Sequence, residues 1–308
     1  MVEPGVRLGR RLHPVPVHLR GDDGAAVGVA EAGGGPHVKL RVFLLNVAVA
    51  LIGLIVLFPL AWMVSVSFMS TGEAATFPPP LLPKVWTLSH YRELFVDQGM
   101  GRYMWNSLAL ATLATLLALG FTVPAGYAFA KLRFRGRDRI FQMLIGALVI
   151  PAQIGTLPLF LMLKSVGLVN TYAGALVPWL ASIFGIFLVR QYALSIPEEM
   201  LEAARIDGAS EGRIFRSVVL PTLTPILVTL ALFVFLGSWN DFLWPLIILT
   251  DQSNYTLPVA LAALSREHVQ DAEMMMAGAV ITVAPVLVLF LALQRYYIRG
   301  MLAGSVKG

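Results

Sequence analysis

Cysteine is absent from all 308 residues, which excludes disulfides, thiolate metal sites and cysteine nucleophiles. Charge is scarce: only 13% of the residues are Asp, Glu, Lys or Arg, about half the share in an ordinary soluble domain. There is no GxxxxGK[ST] stretch, so the chain carries no visible loop for cradling the phosphates of ATP. The apolar regions show no period-2 alternation, which excludes a membrane-spanning barrel. What the chain has instead is apolar length. It is 57% hydrophobic with a mean hydropathy of +0.75, gathered into blocks.

A hydrocarbon core about 30 Å thick needs roughly 20 apolar residues of helix, because a spanning segment must satisfy its own backbone hydrogen bonds. Val42 to Phe68, Met104 to Ala130, Ile140 to Leu163, Val166 to Val189 and Met274 to Gln294 contain no charged residue, and Val218 to Thr250 is interrupted only by Asp241. The expectation is an all-α membrane protein with six transmembrane helices, at about 42–68, 104–130, 140–163, 172–189, 218–249 and 274–294. Lys and Arg are retained on the cytoplasmic side. Placing both termini inside leaves 14 basic residues near spans on the cytoplasmic side against 5 outside, with four distant N-terminal arginines discounted.

Residues 1–38 mix Gly, Pro, Ala and both charge signs without apolar periodicity, so they read as a disordered cytoplasmic extension ahead of a membrane domain at 39–308. The net charge of +5 is dispersed over loops beside spans rather than gathered on one face, which argues against nucleic acid as a partner. His90 and His268 have no metal-ligand partners at helical spacing. Trp105 fits an interfacial anchor, and Tyr91 to Phe95 a short amphipathic helix on the outer face.

Against this background the stretch 195–217 is unusual: Glu198, Glu199, Glu202, Arg205, Asp207, Glu211, Arg213 and Arg216 crowd into nineteen positions between two apolar runs. Ser195-Ile196-Pro197-Glu198 has a capping-box pattern and predicts a helix starting there, with acidic residues in its first turns and Gly208 just past its end. Ser210 predicts the cap of a second helix, stopped by Pro221. Two small alanines, Ala203 and Ala204, and a turn glycine allow another surface to come close, and flanking charges would orient it. An ordinary solvated loop is the alternative on physical grounds.

Glu202-Ala203-Ala204, three residues, Gly208, nine residues, Val218, one residue, then Leu220-Pro221 resembles the cytoplasmic coupling motif of bacterial ABC importer permeases. Val218 departs from it slightly, since that family often has Ile there. The longer stretch SIPEEMLEAARIDGAS, with GLVNTY at Gly167 to Tyr172, SWNDFLWPL at Ser238 to Leu246 and AGSVKG at Ala303 to Gly308, is similar to carbohydrate importers, in particular to the second permease of the maltose transporter. The likeness covers roughly Val42 to Gly308. It implies a coupling helix between the fourth and fifth spans, with Glu198, Glu202, Ala203, Ala204, Asp207, Gly208, Phe215 and Pro221 facing or supporting a cytoplasmic ATPase. It implies a terminal ATPase contact at Ser305, Lys307 and Gly308. It also implies a second distinct permease, two ATPase subunits that bind ATP and Mg, an extracytoplasmic solute-binding protein, and a place in the bacterial inner membrane. This chain itself would bind no cofactor and would not be an enzyme.

Asp241 is the one carboxylate well inside an apolar run, and burying it unpaired costs a few kcal/mol, so it should face protein or a water-filled cavity. With Trp239 and Asn240 it either braces or gates a helix break near Gly237 and Pro245, or lines a sugar path. Two prolines and a glycine in IPAQIGTLP, Ile150 to Pro158, weaken the third span and make Gln153 and Thr156 candidates for the same path. The expected function is a sugar importer permease working by alternating access. Import of another solute, such as a peptide, polyamine or glycerol phosphate, is the alternative. A proton-coupled transporter using Asp241 is a third reading, disfavoured by the coupling motif, and a membrane-embedded enzyme finds no nucleophile, base and orienter set.

Overall fold

The computed structural model describes residues 36–267 and 271–305, so residues 1–35 of the expected extension at 1–38, with His268, Lys307 and Gly308, fall outside the described residues. All regular structure among them is helical: α1 Pro36–Val66, α2 Ser89–Val96, α3 Met100–Lys131, α4 Arg137–Ala147, α5 Thr156–Ser165, α6 Tyr172–Leu176, α7 Ile183–Leu194, α8 Glu198–Ile206, α9 Glu211–Ile214, α10 Leu220–Thr222, α11 Thr224–Trp239, α12 Leu243–Ile248, α13 Leu257–Glu267 and α14 Ala272–Ser305. Helix α1 begins at Pro36, ahead of the expected start of the membrane domain. Proline suits a first helical position, where its missing N–H has no partner to lose.

The chain divides into two compact units, Met1–Val56 and Leu57–Gly308, with the division inside α1. From Leu40 to Val56 every residue except Gly53 is exposed, although nearly all are apolar. In the second unit, α3 is the central element and packs on α7 and α11. Ala114 and Ala118 of α3 and Val189 and Ala193 of α7 are almost fully buried. Gly126 is why α3 and α7 approach so closely, since a Cβ there would lie 2.6 Å from the Val189 side chain. Small residues at such contacts are how helices associate where lipid supplies no hydrophobic drive.

Three helices, Leu40–Val66, Met100–Lys131 and Ala272–Ala292, are individually long and apolar enough to cross a membrane. The other expected spans are each bent. Arg137–Ala147 and Ala152–Ser165 meet at 94°, Tyr172–Trp179 and Ile183–Leu194 at 44°, and Glu211–Thr222 and Thr224–Trp239 at 79°. The first break falls in IPAQIGTLP, where Pro151 precedes a single 3₁₀ turn at Ala152–Gly155. The second was not expected from composition. The first piece ends at Trp179 in a 3₁₀ turn that carries Pro178, and Ser182, extended at φ −102° and ψ 114°, caps the next by accepting from Gly185 N–H at 2.9 Å. A further break, at Asn240 to Phe242, separates α11 from α12.

Helix α2 matches the expected amphipathic segment, but Leu94 is fully buried with Met100 and Met274, so protein rather than the surface receives its apolar face. His90 is also buried, with Nε2 3.0 Å from Met69 O. Asn106 and Ser107 at the start of α3 hold the 253–257 segment: Asn106 Nδ2 donates to Ser253 O and Tyr255 O at 2.9 Å each, and Ser107 Oγ accepts from Leu257 N–H at 2.7 Å.

Candidate functional site

Helix α8 carries most of the candidate coupling residues, and its ends differ from the capping pattern. Ser195 is not the N-cap. It lies in helical geometry, φ −77° and ψ −9°, as the C-cap of α7, and its hydroxyl donates to Tyr192 O at 2.7 Å. Pro197, at φ −57° and ψ 135°, occupies the N-cap position of α8 instead. Glu198 is thereby free to bond elsewhere: Lys131 Nζ at the end of α3 donates to it at 3.2 Å and to Ile196 O at 2.6 Å.

The C-terminus of α8 follows expectation. Gly208 takes φ +80°, its N–H donates to Arg205 O at 3.0 Å, and Ala209 N–H donates to Ala204 O at 3.0 Å. These two bonds are the reciprocal pair of a Schellman motif, which needs a residue that tolerates the left-handed region. Ser210 does precede α9, extended at φ −68° and ψ 156°, but its carbonyl rather than its hydroxyl accepts from Arg213 and Ile214. Pro221 does not stop the second helix. A π-helical turn at Phe215–Val219 interposes, so the proline falls in the first turn of α10, where its missing N–H is harmless; the chain bends after Thr222.

Helix α8 has two unlike faces. Leu201 is fully buried in a cluster with Ala130, Val189, Ala193 and Ile214, and Ala204 is half-buried against it. Burial of a leucine side chain contributes roughly 1.5–3 kcal/mol, which fixes the helix to the end of α3 and α7. The opposite face presents Met200, Glu202, Ala203, Ile206 and Asp207, and Ile206 is 86% exposed. An isoleucine held that far out on a short anchored helix is an apolar knob with carboxylates around it.

A polar chain ties this knob to α3. Glu198 lies 3.7 Å from Arg205, Arg205 Nε donates to Glu211 Oε1 at 2.9 Å, and Tyr127 Oη donates to Glu211 Oε2 at 3.1 Å. The Glu211 hydrogen bond holds the Arg205 guanidinium above its ordinary value. Phe215 packs on Tyr127 with ring centroids 5.4 Å apart, so it supports the knob from behind. The carboxylates in this chain are about half exposed, so each ion pair contributes only about 0–1 kcal/mol. The Lys131 ammonium, with its side chain 7% exposed, is the buried anchor. Lys131 and Tyr127 were not singled out from sequence, since a lysine ending a span reads there only as a topological charge. Of the proposed terminal contact, Ser305 ends α14 without a described side chain, and Lys307 and Gly308 lie outside the described residues.

The candidate path residues divide among three places. Trp239 is 1% exposed, stacks on Phe235 at 5.9 Å and donates its indole N–H to Thr282 O at 3.2 Å, which is the geometry of a brace between α11 and α14. Asn240 is exposed, donates back to Leu236 O at 2.8 Å, and lines a cavity of about 430 Å³ with Phe242, Leu261 and Met275. Asp241 and Gln153 share a different cavity of about 520 Å³ with Thr156, Trp179, Gly237 and Trp244. Trp244 N–H reaches Asp241 Oδ1 at 3.4 Å, and the Trp179 indole also faces the carboxylate. Gly237 allows the Trp179 ring to lie against α11, since a Cβ there would meet the ring at 2.8 Å. Trp179, within an uncharged run, drew no attention in the sequence.

Among known proteins, residues 122–303 match the family described as "Binding-protein-dependent transport system inner membrane component". The arabinooligosaccharides transport system permease protein AraQ of Halalkalibacterium halodurans is 37% identical over 270 residues, covering 86% of this chain and 96% of that one. The diacetylchitobiose uptake system permease protein NgcG of Streptomyces coelicolor is 34% identical over 82% of this chain and 83% of its own length. The fold matches a chain in the crystal structure of a bacterial ABC transporter that imports the acidic polysaccharide alginate, with a TM-score of 0.76 and 24% identity over 86% of this chain and 99% of that chain. With more than half its length matched and relatives above 30% identity over most of both chains, the protein belongs to the binding-protein-dependent transport system inner membrane components.

Proposed function

We propose that this chain is the permease subunit of an ATP-driven carbohydrate importer that works by alternating access. The observation that carries the reading is the knob on α8: Ile206, Ala203 and Glu202 face outward from a helix whose other face is buried and whose turn at Gly208 has open space around it. Such a knob suits a cleft in a cytoplasmic ATPase, where closure on ATP would press on α8 and, through Leu201, Lys131 and Glu211, on α3. ATP and Mg would be bound by the partner subunits. In this reading each bent pair is one span, giving six in all, and both termini are cytoplasmic. A second distinct permease would complete the path and two ATPases the motor.

Relatives whose names specify arabinooligosaccharide, diacetylchitobiose and lactose transport support a carbohydrate cargo. A solved alginate importer in complex with a sugar-loaded periplasmic protein supports an extracytoplasmic binding protein as a further partner. One relative, an osmoprotective compounds uptake permease from Synechocystis that is 36% identical over 245 residues, has a name that specifies no carbohydrate. Purifying the tagged chain from its native membrane and identifying what copurifies tests the assembly. An ATPase and a second permease are expected; recovery of the chain alone, active in transport without ATP, would overturn it.

A further inference from the structure

Between α1 and α2 the chain makes a loop that neither the packed core nor the importer reading accounts for. Glu73 closes its base, its carboxylate accepting from Lys84 N–H at 2.7 Å and from Ser70 N–H at 3.1 Å. The ten residues enclosed, Ala74 to Pro83, carry no charge, and four of them are proline. With its ends drawn together over about a dozen residues this is an Ω-loop, a form normally packed by its own side chains. Here the large apolar residues lie open instead. Phe77 is 99% exposed, and Leu81, Leu82, Val85 and Trp86 are 62–67% exposed.

Contacts at both ends of this loop fix its level against helices long and apolar enough to cross a membrane, α1 over Leu40–Val66 and α14 over Ala272–Ala292. At the base, Ala74 N–H donates to Glu273 Oε1 at 2.7 Å, and the buried Glu273 lies in the first turn of α14. At the tip, Ser65 Oγ donates to Leu81 O at 2.6 Å and Trp62 Nε1 to Pro80 O at 3.4 Å. Ser65 and Trp62 belong to the last turns of α1, and at 1.5 Å per residue the Trp62 contact lies about 4.5 Å further back along the helix. The loop therefore leaves its base at the ends of two spans and folds back along α1, with its tip beside the apolar run.

We propose that Phe77 to Leu82 is a lipid anchor, whose partner is the phospholipid leaflet at this end of α1, with its apolar side chains among the upper acyl chains and Lys84 and Trp86 at the headgroups. The inference rests on the membrane spans and not on the importer's cargo. Lipid penalises backbone donors that find no acceptor. Proline has no such donor, and Pro78, Pro79, Pro80 and Pro83 remove four N–H groups from the seven residues Phe77 to Pro83. Two carbonyls of the same stretch are engaged by Ser65 and Trp62. Donors remain at Phe77, Leu81 and Leu82, which suits the interface, where headgroup oxygens and water stay within reach, and not the hydrocarbon centre. Trp86, tilted on Phe68 with ring centroids 5.6 Å apart, and Lys84 have the amphipathic form that settles at headgroup level. The tip also lies beside the turns of α1 that expose Leu60 and Val64, so loop and span present one apolar surface to one solvent. Because its base is bonded to α14 and its tip to α1, the anchor holds both helix ends at one depth.

Since the chain has no cysteine, single spin labels report on the loop without background from this protein. The full chain, purified with its native partners into nanodiscs of phosphatidylethanolamine and phosphatidylglycerol, is labelled at Phe77→Cys, at Leu82→Cys and, as an aqueous reference, at Gln252→Cys. Oxygen, which concentrates in lipid, and a nickel chelate, which stays in water, serve as the two relaxants. The ratio of oxygen to nickel accessibility at 77 and 82 is expected to exceed that at 252 several-fold. Leu82→Asp in the chain labelled at 77 should lower the ratio there several-fold with helix content unchanged, because a carboxylate resists transfer into lipid. Nickel access at 77 and 82 equal to that at 252 would overturn the proposal by placing the loop in water, and an unchanged ratio in Leu82→Asp would overturn it too. Exclusion of both relaxants would overturn it in favour of a second protein chain on this surface. Nickel protection that appears only on adding a solute-binding protein would replace the lipid with that protein.

Discussion

Replacing Gly208 by valine separates strain within the chain from contact with a partner. At φ +80° a residue with a Cβ carries a left-handed penalty of about 1–2 kcal/mol, and more for a β-branched side chain. If the turn relaxes to escape this, the two 3.0 Å bonds closing α8 are put at risk, each contributing about 0.5–1.5 kcal/mol net. The local cost is therefore about 1–3 kcal/mol by either route, below the roughly 5–15 kcal/mol that stabilises a typical domain. Gly208→Val is expected to insert and fold while misdirecting α8. A Cβ at 208 meets nothing within 4 Å inside the chain, so Gly208→Asn, which tolerates the left-handed region, should leave α8 in place. Loss of docking in the asparagine variant then measures steric closeness of the partner alone. The assay is ATPase pull-down and ATP-driven sugar uptake at matched expression. Wild-type association and uptake in Gly208→Val would refute the reasoning.

Three further outcomes follow from the geometry. Glu202→Lys, on the exposed face of α8, should leave the fold unchanged by thermal denaturation and yet abolish ATPase pull-down, because it reverses the charge beside Ile206. Leu201→Ala should cost about 2–5 kcal/mol in denaturation, because it empties a fully buried position under α8; a shift within error would mean the helix is not anchored there. Reporters fused after Arg139 and after Gly308 should be cytoplasmic and one near Ser253 external, and a cytoplasmic signal at Ser253 would contradict the six-span topology.

What could be read from the sequence was what depends on local chemistry. The bend in IPAQIGTLP and the left-handed turn at Gly208 follow from proline and glycine at those positions, and the apolar blocks define the helices. The Ser195 cap was misread because serine is equally suited to bond back to a carbonyl at the end of the preceding helix, and only the position of α7 decides between the two roles. The row Trp239, Asn240, Asp241 looked like one site because its members are adjacent. Neighbours along a helix point about 100° apart, and here the helix also ends between them, so the three side chains reach a helix interface and two separate cavities. Asp241 and Gln153, far apart in the chain, share a cavity that only tertiary packing could reveal. Trp179 and Lys131 were missed for the same reason, since each gains its role from a partner on another helix.

The absence of cysteine supplies the most direct test of the coupling proposal, because one introduced thiol is unique in the chain. Ile206→Cys places it at a strongly exposed position on α8, and Ser253→Cys places a control in the loop expected on the opposite side of the membrane. With a thiol-to-amine crosslinker applied to native membranes, the account predicts a crosslink from residue 206 to a nucleotide-hydrolysing subunit, with a yield that changes on adding ATP, and none from residue 253. No ATPase crosslink from residue 206, or an equal one from residue 253, would contradict it.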